Sequence, residues 1–138
     1  MKILILCTGN SCRSQMAEAF LKSFDNKLEV YSAGTEPSMR VHEKAIQVMN
    51  EIGLNIQDGY PKNVNEFIND PIDYVITVCG GAKESCPAFF GNVKHRLHIG
   101  FDDPAEATGT DEEILSVFKR VRDEIKTDLF KFYTENIK

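Results

Sequence analysis

Residues 2–6, Lys-Ile-Leu-Ile-Leu, form a nearly unbroken apolar run, the pattern of a central strand covered on both faces. From Arg13 to about Phe24, Met16, Ala17, Phe20, Leu21 and Phe24 recur at helical spacing, with Gln15, Glu18, Lys22 and Ser23 on the polar positions between them. Residues 28–32 predict a second strand closed by Ala33-Gly34. Val41, Ala45, Val48, Met49 and Ile52 then mark a second helix that Gly53 can end in a left-handed conformation. Over 54–70, Gly59, Pro61 and the asparagines 55, 63, 65 and 69 break any long pattern, and only 64–68 reads as a short helix. Tyr74-Val75-Ile76-Thr77-Val78 is a β-branched strand and Arg96-Leu97-His98-Ile99 a weaker one. Thr110 and Glu113 offer a capping box for a last helix, whose apolar face is Ile114, Leu115, Phe118, Val121, Ile125 and Leu129.

Strands alternating with helices predict an α/β fold: one domain over 1–138, a parallel sheet of about four strands, right-handed crossovers and helices on both faces. No repeat, low-complexity tract or long linker divides the chain. Such sheets bind ligands beyond the carboxyl ends of their strands. Cys7, Cys79 and the loop beginning at Phe101 each follow a strand closely, so the fold should gather them at one edge.

Composition narrows the function. The 138 residues are 42% hydrophobic and 27% charged, ordinary for a globular domain, and no stretch is long enough to span a membrane. The net charge of -5 argues against a nucleic-acid surface, which needs many cations facing phosphates. Any anion must be captured locally. The apolar N-terminus runs straight into Cys7-Thr8-Gly9 with no small-residue cleavage site, so it reads as a strand and the protein as cytoplasmic. Four cysteines in a chain too core-rich to need staples point to chemistry or metal.

Cys7-Thr8-Gly9-Asn10-Ser11-Cys12-Arg13-Ser14 places a thiol and a guanidinium at the two ends of a tight loop between strand and helix. Inward-turned N–H groups of Thr8, Gly9, Asn10, Ser11 and Cys12, with the positive end of the helix, would cradle a tetrahedral oxyanion. Arg13 can clamp two oxygens in its planar fork. The same field favours a Cys7 thiolate, to which the Ser14 hydroxyl can donate, and makes Cys7 a nucleophile. The plainer alternative makes Cys7 a buried strand-end cysteine and Arg13 a solvated helix residue. Cys12 reads equally as structural or as a thiol that guards Cys7. A zinc site is disfavoured, since the six residues between Cys79 and Cys86 exceed the usual ligand spacing and a metal would consume the nucleophile. His42, His95 and His98 have no spacing that singles them out.

The stretch from Cys7 to Gln15-Met16-Ala17-Glu18, then Tyr31-Ser32-Ala33-Gly34, and Asp102-Asp103-Pro104-Ala105, is similar to the low-molecular-weight protein tyrosine phosphatases and to the thioredoxin-coupled arsenate reductases built on the same fold. Both resemblances imply an acid at Asp103, against the simpler reading of an acidic turn. The reductase resemblance further implies that Cys79 attacks Cys7 to release arsenite, and that Cys86 then attacks Cys79, leaving a disulfide for an external dithiol. Gly80 and Gly81 would give that segment backbone freedom, and the competing reading has both cysteines filling space. A phosphatase needs neither thiol, and its aromatic grip after Asp-Pro is replaced here by Ala105-Glu106-Ala107. Reductases of this kind also imply a potassium ion near the loop, with Asn10, Glu18 and Ser32 as oxygen donors, although 60–65 departs from the pattern for the remaining ligands. The implied partners are arsenate, with phosphate or sulfate competing, and thioredoxin ahead of glutaredoxin with glutathione. The implied role is arsenic detoxification. The rivals are a tyrosine phosphatase with incidental cysteines and a phosphate-binding carrier phosphorylated on Cys7.

Overall fold

Burial on both faces explains why the first apolar run becomes the middle of the sheet. In the computed structural model, which describes residues 1–79 and 92–138, β1 (Lys2–Cys7) is followed by α1 (Arg13–Phe24), β2 (Glu29–Gly34) and α2 (Glu43–Asn50). A 3-10 turn (Val64–Phe67), β3 (Ile72–Thr77), β4 (Val93–His98), a second 3-10 turn (Pro104–Glu106) and α3 (Asp111–Asn136) complete the order. The four strands are parallel in the order β2-β1-β3-β4. Their carboxyl ends therefore share one edge, which collects the loops after Cys7, Gly34, Thr77 and His98.

Alternation along β1 divides the core. Ile3, Ile5 and Cys7 enter a large cluster with Met16, Phe20 and Leu21 of α1, Ala45, Val48 and Met49 of α2, and Phe118, Val121, Ile125 and Leu129 of α3. Leu4 and Leu6 point the other way, to a smaller cluster with Ala33, Phe67, Ile72 and Val75. Helical structure covers both faces, unequally: among the described residues three α-helices cover one and the Val64–Phe67 turn the other. Each fully buried Leu, Met or Phe of α1 contributes about 1.5–3 kcal/mol, so this helix is anchored firmly where it starts at the anion loop.

The caps match their sequence signals. Thr110 and Glu113 form a reciprocal box at the start of α3, and Asn63 and Glu66 do the same for the first 3-10 turn. Gly53 ends the α2 region at φ +81. α2 is shorter than its apolar spacing suggests, because His42 caps its start by accepting from the Lys44 N–H. β4 begins three residues before its expected start because it is an edge strand. Lys94, His95, Arg96 and His98 are exposed, which erases the alternation that marks a half-buried strand. No helix among the described residues is long and apolar enough to cross a membrane.

Candidate anion site and cysteine centre

The loop from Thr8 to Cys12 turns every carbonyl outward. Thr8 O accepts from the Glu36 N–H at 3.0 Å, Gly9 O from Ser38 at 2.9 Å, Ser11 O from His42 at 2.9 Å and Cys12 O from Met16 at 3.0 Å. Asn10 O accepts from Gln15 Nε2 at 3.1 Å. A peptide that turns its carbonyl out turns its N–H in, so the interior of the loop is a ring of donors at the start of α1. Residues 35–42 supply three of the five outer bonds and hold the ring open.

Gly34 makes that geometry possible. It lies opposite Cys7 in the β1–β2 register, and a Cβ there would stand 2.3 Å from Thr8 O and 3.1 Å from Cys7 O. Both are backbone atoms that cannot swing aside. Gly34→Ala is therefore expected to cost about 1–3 kcal/mol of stability through forced backbone shifts and to weaken phosphate binding. Urea unfolding and phosphate protection of Cys7 from alkylation check this; a variant equal to the parent in both would contradict it.

Arg13 is 3% exposed and crosses the mouth of the loop. Nη1 donates to Phe101 O at 3.1 Å, while Nη2 lies 3.8 Å from Cys7 Sγ and 3.7 Å from Asp103 Oδ2. The solvated-helix reading of Arg13 is thus excluded. The two neighbouring acids separate cleanly: Asp102 pairs outward with Arg120 at 3.3 Å, and Asp103 faces Arg13 while its Oδ1 caps the second 3-10 turn at Ala105 N. Asp103 is only partly buried, which leaves its carboxyl in reach of solvent.

Cys7 and Cys12 are both buried free thiols. Burial pushes the Cys12 thiol up to about 12, with Asp103 and Cys7 adding to the effect against a lowering bond from Ser11. Cys12 is held as neutral SH at physiological pH, unsuited to compete as nucleophile. Ser14 Oγ accepts from Asn10 Nδ2 at 2.7 Å, so its own proton is left to donate elsewhere.

Cys79 is fully buried and disulfide-bonded. Val78 N donates to Leu6 O at 2.9 Å and Leu6 pairs with Thr77, so Val78 runs beside Cys7 and Cys79 stands one residue further on. Cys86, with Gly80 and Gly81, lies outside the described residues.

A profile of the low molecular weight phosphotyrosine protein phosphatase family matches residues 2–138. The chain belongs to that phosphatase family. Its relatives include an arsenate reductase of Halalkalibacterium halodurans, 49% identical over 124 residues that cover 89% of this chain and 88% of that one. An arsenate reductase of Shouchella clausii is 48% identical over 131 residues, 94% and 93% of the two chains. Among solved structures, an arsenate reductase in the phosphate binding state superposes with a TM-score of 0.76 at 32% identity, covering 97% of each chain.

The three oxygen donors implied for a potassium ion lie on the loop, α1 and β2, at Asn10, Glu18 and Ser32. Asn10 Oδ1 already accepts from Lys62 N at 2.9 Å and Gln15 Nε2 at 3.3 Å, and Glu18 pairs with Lys22 at 3.0 Å. Of the three candidate oxygens, only Ser32 Oγ is buried without a partner among the described residues. The half-buried Lys62 ammonium near Glu18 supplies positive charge there. The histidines are structural: His42 packs at a tilt against Phe118, His95 stacks on Tyr74, and His98 bonds Thr77 Oγ1.

Three contributors to this phosphatase-family loop escaped the sequence reading. Gln15, expected on the polar face of α1, is 2% exposed. The Phe101 carbonyl and Gly34 act through backbone atoms. The available signal was the unbroken polar run Arg13-Ser14-Gln15 at the start of an amphipathic helix, where the anion loop rather than solvent is the neighbour.

Proposed function

We propose that this chain reduces arsenate to arsenite, with Cys7 as nucleophile and Cys79 and Cys86 as the relay. The observation that carries the reading is the outward turn of all five carbonyls from Thr8 to Cys12 around a buried Cys7–Arg13 pair. Such a ring binds a tetrahedral oxyanion and presents its central atom to the thiolate. Likeness to relatives named arsenate reductase selects arsenate over a phosphoester. Phosphate would compete, in keeping with the phosphate-state neighbour. The Thr8 hydroxyl, buried without a partner among the described residues, is a further donor in the loop.

The Cys7 thiolate attacks arsenic, an oxygen leaves with a proton from Asp103, and a sulfur–arsenic bond replaces the arsenic–oxygen bond. Arg13 holds the remaining oxygens and Ser14 donates to the sulfur. A Cys79 thiolate then attacks Cys7 Sγ. The sulfur–sulfur bond forms as the sulfur–arsenic bond breaks, and its electron pair leaves with arsenic as arsenite. Cys86 attacks Cys79, freeing Cys7 and leaving a Cys79–Cys86 disulfide for thioredoxin. The disulfide at Cys79, with Cys7 and Cys12 free, supports this endpoint. Thioredoxin suits an intramolecular disulfide better than glutathione with glutaredoxin would, and a relay of reduced thiols suits the cytoplasm of a bacterium.

The test is arsenate with thioredoxin, thioredoxin reductase and NADPH. Arsenite formed in proportion to NADPH consumed is the expected result. Hydrolysis of an aryl phosphate with no arsenite would instead make the chain a phosphatase, and a stable phosphocysteine without turnover would make it a carrier.

A further inference from the structure

Gln15 has no part in the chemistry above, yet it is almost fully buried beside the loop. Its Nε2 lies 3.1 Å from Asn10 O, 3.3 Å from Asn10 Oδ1 and 3.1 Å from Tyr60 O. All three are oxygens facing it, so only the NH2 end of the amide can point at them. Two N–H groups thus serve two acceptors on Asn10 and one on the peptide of an exposed segment 45 residues away. On the other side, a Cβ built on Gly59 would stand 2.8 Å from Gln15 Oε1. A side chain at position 59 would press on the amide oxygen and push the Gln15 amide aside.

What this clamp holds is a left-handed turn. Asn10 is the only non-glycine residue with positive φ, at 51°, among the described residues. Asparagine reaches that conformation more readily than other side-chain-bearing residues because its short amide can bond locally, as it does here. Lys62 N and Ser14 Oγ hold the Asn10 side chain, whereas Gln15 reaches both that side chain and the Asn10 carbonyl. Without it, the peptide between Asn10 and Ser11 is free to rotate. Rotation would swing a carbonyl inward where the Ser11 N–H should face the anion.

We propose that Gln15 is a positioning residue that locks the Asn10–Ser11 peptide with its N–H inward and ties the anion loop to the 59–62 segment. The inference rests on the anion-loop reading of the proposed function but is independent of the cysteine relay. Gln15 touches no reacting atom and acts through Asn10.

The experiment measures how much inorganic phosphate half-protects Cys7 of the reduced full chain from iodoacetamide, quantified on the Cys7 peptide. Gln15→Met keeps the side chain's length and removes its N–H donors. Gly59→Ala disturbs the same amide from the exposed side. Half-protection should need about tenfold more phosphate in Gln15→Met, the loss expected for one or two hydrogen bonds. It should need a few-fold more in Gly59→Ala, while that variant's melting temperature stays near the parent's. A purely structural glutamine would change melting temperature and leave phosphate affinity alone. Phosphate affinity within twofold of the parent in both variants overturns the proposal, and if Gln15→Met does not fold, Gly59→Ala decides it by itself. Absence of phosphate protection in the parent chain overturns the anion-loop reading and this inference with it.

Discussion

Cys79→Ser should lower arsenate turnover by about a thousandfold or more while hydrolysis of a small aryl phosphate stays within about twofold of the parent. A serine hydroxyl cannot attack Cys7 Sγ and supply the electron pair that lets As(V) leave as As(III), whereas hydrolysis uses only the loop, Arg13 and Asp103. Arsenate should stall as a Cys7 adduct, and no arsenite should appear even in a single turnover. Because Cys79 is fully buried, the new hydroxyl costs about 1–3 kcal/mol of stability, so circular dichroism should accompany the assay. Arsenate turnover unchanged in a folded Cys79→Ser variant would remove the relay.

Arg13→Lys is expected to lose about a hundred- to a thousandfold in kcat/KM for both arsenate and aryl phosphate. The guanidinium divides its fork between Phe101 O, Asp103 and the neighbourhood of Cys7. An ammonium is a point charge at the end of a flexible stem, and it cannot hold the Phe101 carbonyl while also presenting two parallel N–H groups to an oxyanion. Phosphate inhibition should weaken in step with activity, since one contact serves both. Steady-state rates and phosphate inhibition constants within fivefold of the parent would show that Arg13 is a structural tether only.

The two variants act on parts of the molecule that differ in how they could be read from sequence. Cys7 and Arg13 lie within one contiguous loop, so strand, turn and helix signals on either side locate them without knowledge of the fold. β1 is equally plain, because burial on both faces leaves a continuous apolar run. β4 is not. An edge strand with Lys94, His95, Arg96 and His98 in solvent carries little alternation, and its start was misplaced by three residues. Asp103 could be set above Asp102 only through family likeness; in three dimensions Arg120 draws Asp102 outward and leaves Asp103 to Arg13. The roles of Gln15, Gly34 and the Phe101 carbonyl are hidden in the sequence for a common reason. Each works through contact with a segment at least 26 residues away, or through backbone atoms that residue type does not advertise. The oxygens that family likeness offers to potassium also contact this chain's own donors, Asn10 Oδ1 with Lys62 N and Gln15 and Glu18 Oε2 with Lys22, which residue type does not advertise.

The most direct measurement is a disulfide map of the fully reduced chain after one equivalent of arsenate, with every external reductant removed. One arsenite per chain, a Cys79–Cys86 crosslink, and Cys7 and Cys12 both recovered as free thiols once the chain is denatured is the expected result. Arsenite released while Cys79 and Cys86 can both still be alkylated would contradict it.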